Sequence, residues 1–158
     1  INFIGIEKYT SVLMKAIQRL RLEKKASEKA GAYDNLYYSC IDAAILNDVF
    51  EPGEVSKIYL NFSDPWPKAR HSHRRLTDKY FLDIYSKILK TGSKLEFKTD
   101  NTDLFDYSLE SVKNSDFELE FFTYDLHNEG GIENIMSEYE EKFSQNGQKI
   151  CKLVAIRK

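Results

Sequence analysis

Three features of this 158-residue chain predict an α/β fold with a mostly parallel sheet. Short apolar runs alternate with stretches of helical periodicity, the pattern of strand–helix units. An acid closes the apolar run in each of the first four units: Glu7, Asp42, Asp64 and Asp100. After the third run comes Asp64-Pro65-Trp66-Pro67-Lys68, in which two prolines flank the only tryptophan, and Arg70-His71-Ser72-His73-Arg74-Arg75 follows at once. Proline fixes the backbone and offers no N–H, so this stretch neither continues a strand nor starts an ordinary helix. It reads as a shaped loop presenting a carboxylate, an aromatic plane and a basic tail.

The elements follow in order. Ile1 to Glu7 reads as a buried strand. Thr10 or Ser11 caps a helix whose apolar face is Val12, Leu13, Ala16, Ile17 and Leu20, and which stops near Gly31. Leu36 to Cys40 is a second strand, Ala43 to Phe50 a short helix, and Glu51-Pro52-Gly53-Glu54 a turn. Lys57 to Phe62 is the third strand. A helix starting at Thr77 or Asp78 turns Leu76, Tyr80, Phe81, Ile84, Tyr85, Ile88 and Leu89 inward and ends at Gly92. Lys94 to Thr99 is the fourth strand. Asn101 or Thr102 caps the next helix, with Leu104, Phe105, Ser108, Leu109 and Val112 inward. Phe117 to Tyr124 is an aromatic core strand, 125–135 a polar surface loop, Ser137 to Phe143 a short helix or turn, and Ile150 to Ile156 a weakly alternating last strand.

A chain of this length supports one domain, 1–158, with a real core. No apolar run is long enough to span a membrane and none reads as a signal peptide, so a cytoplasmic location is expected. Cys40 and Cys151 lie in apolar stretches and read as buried free thiols. The net charge of −2 does not mark a nucleic-acid binder, so RNA affinity must come from the local cluster of Lys68, Arg70, Arg74, Arg75 and Lys79. His71, His73 and His127 lack partners at zinc-site spacing, and no metal site is expected.

In an open parallel sheet the ligand crevice lies outside the carboxyl ends of the strands. A single acid there is usually a helix cap, whereas four in succession suggest one acidic rim. Like charges on one rim require a cation, hydroxyls or N–H donors to satisfy them. Ribose hydroxyls, a purine amine and a sulfonium fit, as in S-adenosylmethionine. Mg²⁺ with a nucleotide also fits, but no Gly-x-x-x-x-Gly-Lys phosphate loop is present.

The run Asn61-Phe62-Ser63-Asp64-Pro65-Trp66-Pro67-Lys68, with Arg70-His71 and Arg74-Arg75-Leu76, resembles the signature of bacterial tRNA (guanine-N7)-methyltransferases. Gly5-Ile6-Glu7, Asp42-Ala43, Phe97-Lys98-Thr99-Asp100-Asn101 and Glu138-Tyr139-Glu140-Glu141-Lys142-Phe143 match in the same order. The resemblance implies a Rossmann-like class I methyltransferase fold with helices on both faces of the sheet. It implies S-adenosylmethionine as methyl donor and a guanine in the tRNA variable loop as acceptor. By position, Glu7 would hold the cofactor ribose, Asp42 would lie near its adenine, and Asp64 would sit at the methyl-transfer centre with cofactor and catalytic contacts. Lys68, Asp100 and Ser137-Glu138-Tyr139-Glu140 match substrate-binding positions, with serine where the family often has threonine. Arg70, His71, Ser72, His73, Arg74 and Arg75 match an RNA-contact stretch. In that family a glycine-rich cofactor loop and a central strand precede the Gly5-Ile6-Glu7 segment. An N-terminally incomplete domain with a gap in its sheet is therefore expected.

Two residue roles stay open at this level. Trp66 either plugs the loop against the core or stacks on a flipped-out base. The basic tail is either a solvated face or a track for phosphates. A non-catalytic RNA-binding module and an amino-methyltransferase acting on DNA or protein are the competing functions. The sequence leaves open whether the protein is a monomer or a homodimer.

Overall fold

A computed structural model describes residues 1–27, 30–132 and 134–158. The chain forms two compact units, Ile1–Leu46 and Asn47–Lys158.

The first unit is built on two parallel strands, β1 (Phe3–Ile6) and β2 (Leu36–Ser39), joined through α1 (Thr10–Ala26). Parallel neighbours need such a crossover. β1 is less buried than its apolar sequence predicts: Phe3 is 50% and Ile4 46% exposed. Of the expected α1 face, Leu13 alone is buried. Neither Thr10 nor Ser11 caps the helix. Tyr9 holds the N-cap position without a side-chain bond, and the Thr10 hydroxyl instead lies 3.5 Å from Cys40 Sγ. Cys40 is exposed, which corrects the expectation of a buried thiol, while Cys151 is buried as expected. α1 ends at Ala26, before Gly31; residues 28 and 29, in the charged run leading there, lie outside the described residues.

A 3-10 turn at Ala43–Ile45 leads into α2 (Leu46–Val49). In the second unit β3 (Val55–Asn61), β4 (Leu89–Thr99), β5 (Phe117–Thr123) and β6 (Cys151–Arg157) form a sheet in the order β3-β4-β6-β5. β3 and β4 are parallel, whereas β6 runs antiparallel to both β4 and β5. One reversed strand therefore sits inside an otherwise parallel set. Its place explains its sequence: between two neighbours, Cys151 to Ala155 are all buried, and a strand covered on both sides need not alternate. Among the described residues β1 and β2 pair only with each other, and the four-stranded ladder is separate.

Side-chain alternation gives the four-stranded sheet two different faces. Leu95 and Phe97 of β4 point toward α3 (Lys79–Ile88) and α4 (Thr102–Lys113), where Phe97 stacks on Phe105 at 6.4 Å between centroids. Lys98 points the other way and meets Glu140 of α5 (Glu138–Gln145). Helices thus reach both faces. The capping expectations for α3 and α4 hold: Asp78 accepts from Tyr80 N–H and Asn101 from Leu104 N–H. All five expected inward residues of α4 are buried. In α3, Tyr80 is 52% exposed, and Leu82 takes an inward place. α3 ends at Ile88 rather than at Gly92. Gly92, with φ +79°, lies in an irregular stretch of β4, where the chain between Leu89 and Lys94 spans only Val55 to Lys57 of β3. Aromatic β5 is only partly core, since Phe117 is buried while Phe122 is 48% exposed. Among the described residues no helix is long and apolar enough to cross a membrane.

Candidate active site

In the first unit, Glu7 and Asp42 follow the carboxyl ends of the two adjacent parallel strands. Glu7 Oε1 accepts from Tyr9 N–H at 2.8 Å, and Glu7 N–H donates to Ser39 O. Asp42 Oδ1 caps the 3-10 turn through Ala44 N–H at 2.9 Å, and Oδ2 pairs with Lys8 at 2.6 Å. The hydrogen bond from Lys8, supported by the Ala44 N–H, holds the Asp42 carboxyl below its usual range. Asp42 is therefore an ionised acceptor at neutral pH, and the carboxylate oxygens of both acids are chemically suited to hydroxyl or amine donors.

In the second unit, Asp64 and Asp100 follow β3 and β4, again adjacent and parallel. Phe62 N–H donates to Lys98 O at 2.9 Å and extends the pairing by one residue. The chain then breaks sharply. Phe62 (φ +52°) and Trp66 (φ +42°) both occupy the left-handed region, which costs a non-glycine residue about 1 to 3 kcal/mol. Asp64, Pro65, Trp66 and Pro67 line a depression of about 260 Å³. The Asp64 carboxylate is exposed and makes no hydrogen bond or ion pair among the described residues.

Trp66 is half-buried. Arg74 lies 4.9 Å over its ring and His71 packs edge-on at 5.9 Å. The basic tail that supplies both residues is a 3-10 segment, Ala69–Arg74, where the flanking prolines predict only a shaped loop. Lys68 takes its N-cap position and accepts from His71 N–H through its carbonyl. Lys68, Arg70, His73 and Arg74 are exposed, while His71 and Ser72 are half-buried. Arg75 differs from its neighbours. Its Nε donates to Pro65 O at 3.0 Å and its Nη2 to Trp66 O at 3.1 Å.

The α5 segment meets this region through aromatic contact. The Tyr139 ring lies 4.6 Å from Phe62 and 4.1 Å from Phe143. The Tyr139 hydroxyl donates to Asp100 Oδ2 at 3.4 Å, and Gln148 Nε2 donates to the same oxygen at 2.9 Å. Burial and the neighbouring Asp100 charge raise the Tyr139 phenol, which stays protonated. Asp100, Tyr139 and the start of the Asp64 loop are thus assembled together.

Ser137 and Glu140 have internal partners. Ser137 Oγ accepts from Glu140 N–H and caps α5, a role threonine would fill equally. Glu138 is exposed in the first turn. Glu140 is fully buried: Oε2 pairs with Lys98 at 2.6 Å, while Oε1 takes His127 Nε2 at 2.9 Å and Asn134 Nδ2 at 2.6 Å. Lys98 also donates to Asn134 Oδ1 and Ile135 O. Burial alone would push the Glu140 carboxyl up, but Lys98, His127 and Asn134 together hold it below its usual value. Sequence reasoning gave Lys98, His127 and Asn134 no role. The local pattern hides them: Lys94, Glu96 and Lys98 alternate with Leu95 and Phe97, which reads as an ordinary solvated strand face.

The comparisons with known proteins point the same way. The fold is that of methyltransferases: the chain superposes on a geranyl diphosphate methyltransferase in complex with SAM with a TM-score of 0.60, at 14% identity, covering 99% of this chain and 69% of that one. An rRNA methylase from Streptococcus thermophilus gives a TM-score of 0.58 at 16% identity, covering 99% and 73%. At these identities the likeness concerns the fold. The family is fixed by sequence. A family profile described as "Putative methyltransferase" matches residues 1–153, and the chain belongs to that family. A tRNA (guanine-N(7)-)-methyltransferase from Lachnoclostridium phytofermentans is 53% identical over 158 residues, covering 99% of this chain and 70% of that protein. The enzyme of the same name from Bacillus subtilis is 50% identical over 150 residues, covering 95% and 67%.

Proposed function

We infer that this chain is a tRNA (guanine-N7)-methyltransferase, which transfers a methyl group from S-adenosylmethionine to N7 of a guanine in the tRNA variable loop. The observation that carries this reading is identity of 53% and 50% to two enzymes of that name over nearly the whole chain. The family match runs through both compact units, which supports reading residues 1–158 as one methyltransferase domain.

The residues present suit the cofactor. Glu7 and Asp42 are acceptors at the ends of adjacent parallel strands, where a ribose hydroxyl and an adenine amine supply donors. Bound S-adenosylmethionine supplies an electrophilic methyl on a cationic sulfur. The rest of the task falls to the chain. Guanine N7 carries an in-plane lone pair and needs no deprotonation, so the protein mainly has to position that nitrogen. Methylation leaves the purine cationic, and the exposed carboxylate of Asp64, unpaired among the described residues, is suited to stabilise that charge. Lys68, Arg70, His71, Ser72, His73 and Arg74 supply a cationic and hydroxyl surface for RNA phosphates. Asp100 and Tyr139 contribute acceptor and aromatic surface beside the loop, and Ser137, Glu138 and Glu140 belong to the same substrate segment.

Identification of the methylated nucleoside after reaction with unmodified tRNA tests the reading. 7-Methylguanosine in the variable loop is the expected product. Label appearing in DNA or protein but not in tRNA would favour the amino-methyltransferase reading.

A further inference from the structure

We propose that Arg75 is a positioning residue that holds the Asp64–Pro67 loop in shape, rather than one more cation for RNA phosphates. The proposal rests on the reading of this loop as the methyl-transfer site. Prolines at 65 and 67 remove two N–H donors, so the loop has few ways to bond itself into place. Arg75 supplies what is missing: its guanidinium donates to two consecutive carbonyls, those of Pro65 and Trp66. Trp66 has the positive φ, and a residue in that region persists only when its surroundings hold it there.

The guanidinium is itself anchored. It lies 4.3 Å over the ring of Tyr107 in α4. The Tyr107 hydroxyl donates to Asp78 Oδ2, and Asp78 Oδ1 caps α3 through Tyr80 N–H. The loop is thereby referred to two helices packed on the sheet. Arg70, by contrast, is exposed and is free to meet a phosphate.

Two substitutions separate the roles. Arg75→Lys keeps the charge, but a single ammonium does not reproduce the planar fork. Arg75→Gln removes the charge. Trp66 is the only tryptophan, so quenching of its fluorescence by acrylamide reports the loop directly, without tRNA or activity. In Arg75→Lys we expect greater quenching at an unchanged far-UV circular dichroism spectrum. We also expect kcat to fall roughly ten- to a hundredfold with KM for tRNA unchanged, as for a misplaced reacting group. In Arg75→Gln the salt dependence of tRNA binding should stay that of the parent chain, while Arg70→Ala lowers its slope by about one. Unchanged quenching in Arg75→Lys would overturn the proposal, even if Arg75→Gln fails to fold. So would a slope lowered by about one in Arg75→Gln. Failure of every form to methylate tRNA would count against the functional reading, while the quenching result would still decide Arg75.

Discussion

At the residue scale, two carboxylates of the same family segment order behave in opposite ways. Asp64 is exposed and unpaired among the described residues, so its charge is available to a ligand. Asp64→Asn keeps the shape and removes the charge, and should lower kcat with little change in thermal stability; full turnover in single-turnover assays would show that the charge is not used. Glu140 is buried with both oxygens engaged. Removing one partner of such a pair typically costs 3–5 kcal/mol because the other charge is left uncompensated, so Lys98→Met should destabilise the fold by roughly that amount in urea titrations. The pH dependence has a definite sign. The folded Glu140 carboxyl lies below its usual value despite burial, because Lys98, His127 and Asn134 favour the ionised form. Its contribution is therefore fully present above the unfolded value of about 4.3 and is lost as pH falls through the folded value. The stability difference between the parent chain and Glu140→Gln should shrink as the pH is lowered through that window.

At the element scale, the second unit's helices bring the site together by their ends and faces. Ser137 caps α5, and Tyr139 two residues later touches both Phe62 and Asp100. Ser137→Ala should cost about 1 kcal/mol and raise KM for tRNA, while Ser137→Thr should behave as the parent chain. Equal behaviour of the alanine and threonine variants would deny the cap a role. Most of these elements were legible in sequence because their signals are local. Asp78 and Asn101 stand where caps belong, and the α4 face repeats at helical spacing. What escaped depends on contacts distant in sequence. Lys98 meets Glu140 across 42 residues, and Arg75 meets Pro65 by folding back through a 3-10 segment whose two prolines upstream mask any helical pattern. The position of β6 between β4 and β5 is likewise a matter of pairing, visible in sequence only as a strand that fails to alternate.

At the scale of the whole molecule, the charge balance misleads and the local cluster informs. A net charge of −2 coexists with an exposed run of Lys68, Arg70, His73 and Arg74 beside the Asp64 loop. The chain belongs to a methyltransferase family, and its acids recur after four strands: two in Ile1–Leu46 and two in Asn47–Lys158. The sequence pattern exposed this recurrence, while the roles of the individual acids became distinct only with their partners: Lys8 on Asp42, Gln148 and Tyr139 on Asp100, none on Asp64 among the described residues. Transfer of labelled methyl from S-adenosylmethionine to unmodified tRNA, with the product nucleoside identified, tests the proposed reaction without intermediaries. 7-Methylguanosine is the expected product, and Asp64→Asn should form it far more slowly. Label on an exocyclic amine of the nucleoside, or in DNA or protein with none in tRNA, would contradict the proposed reaction.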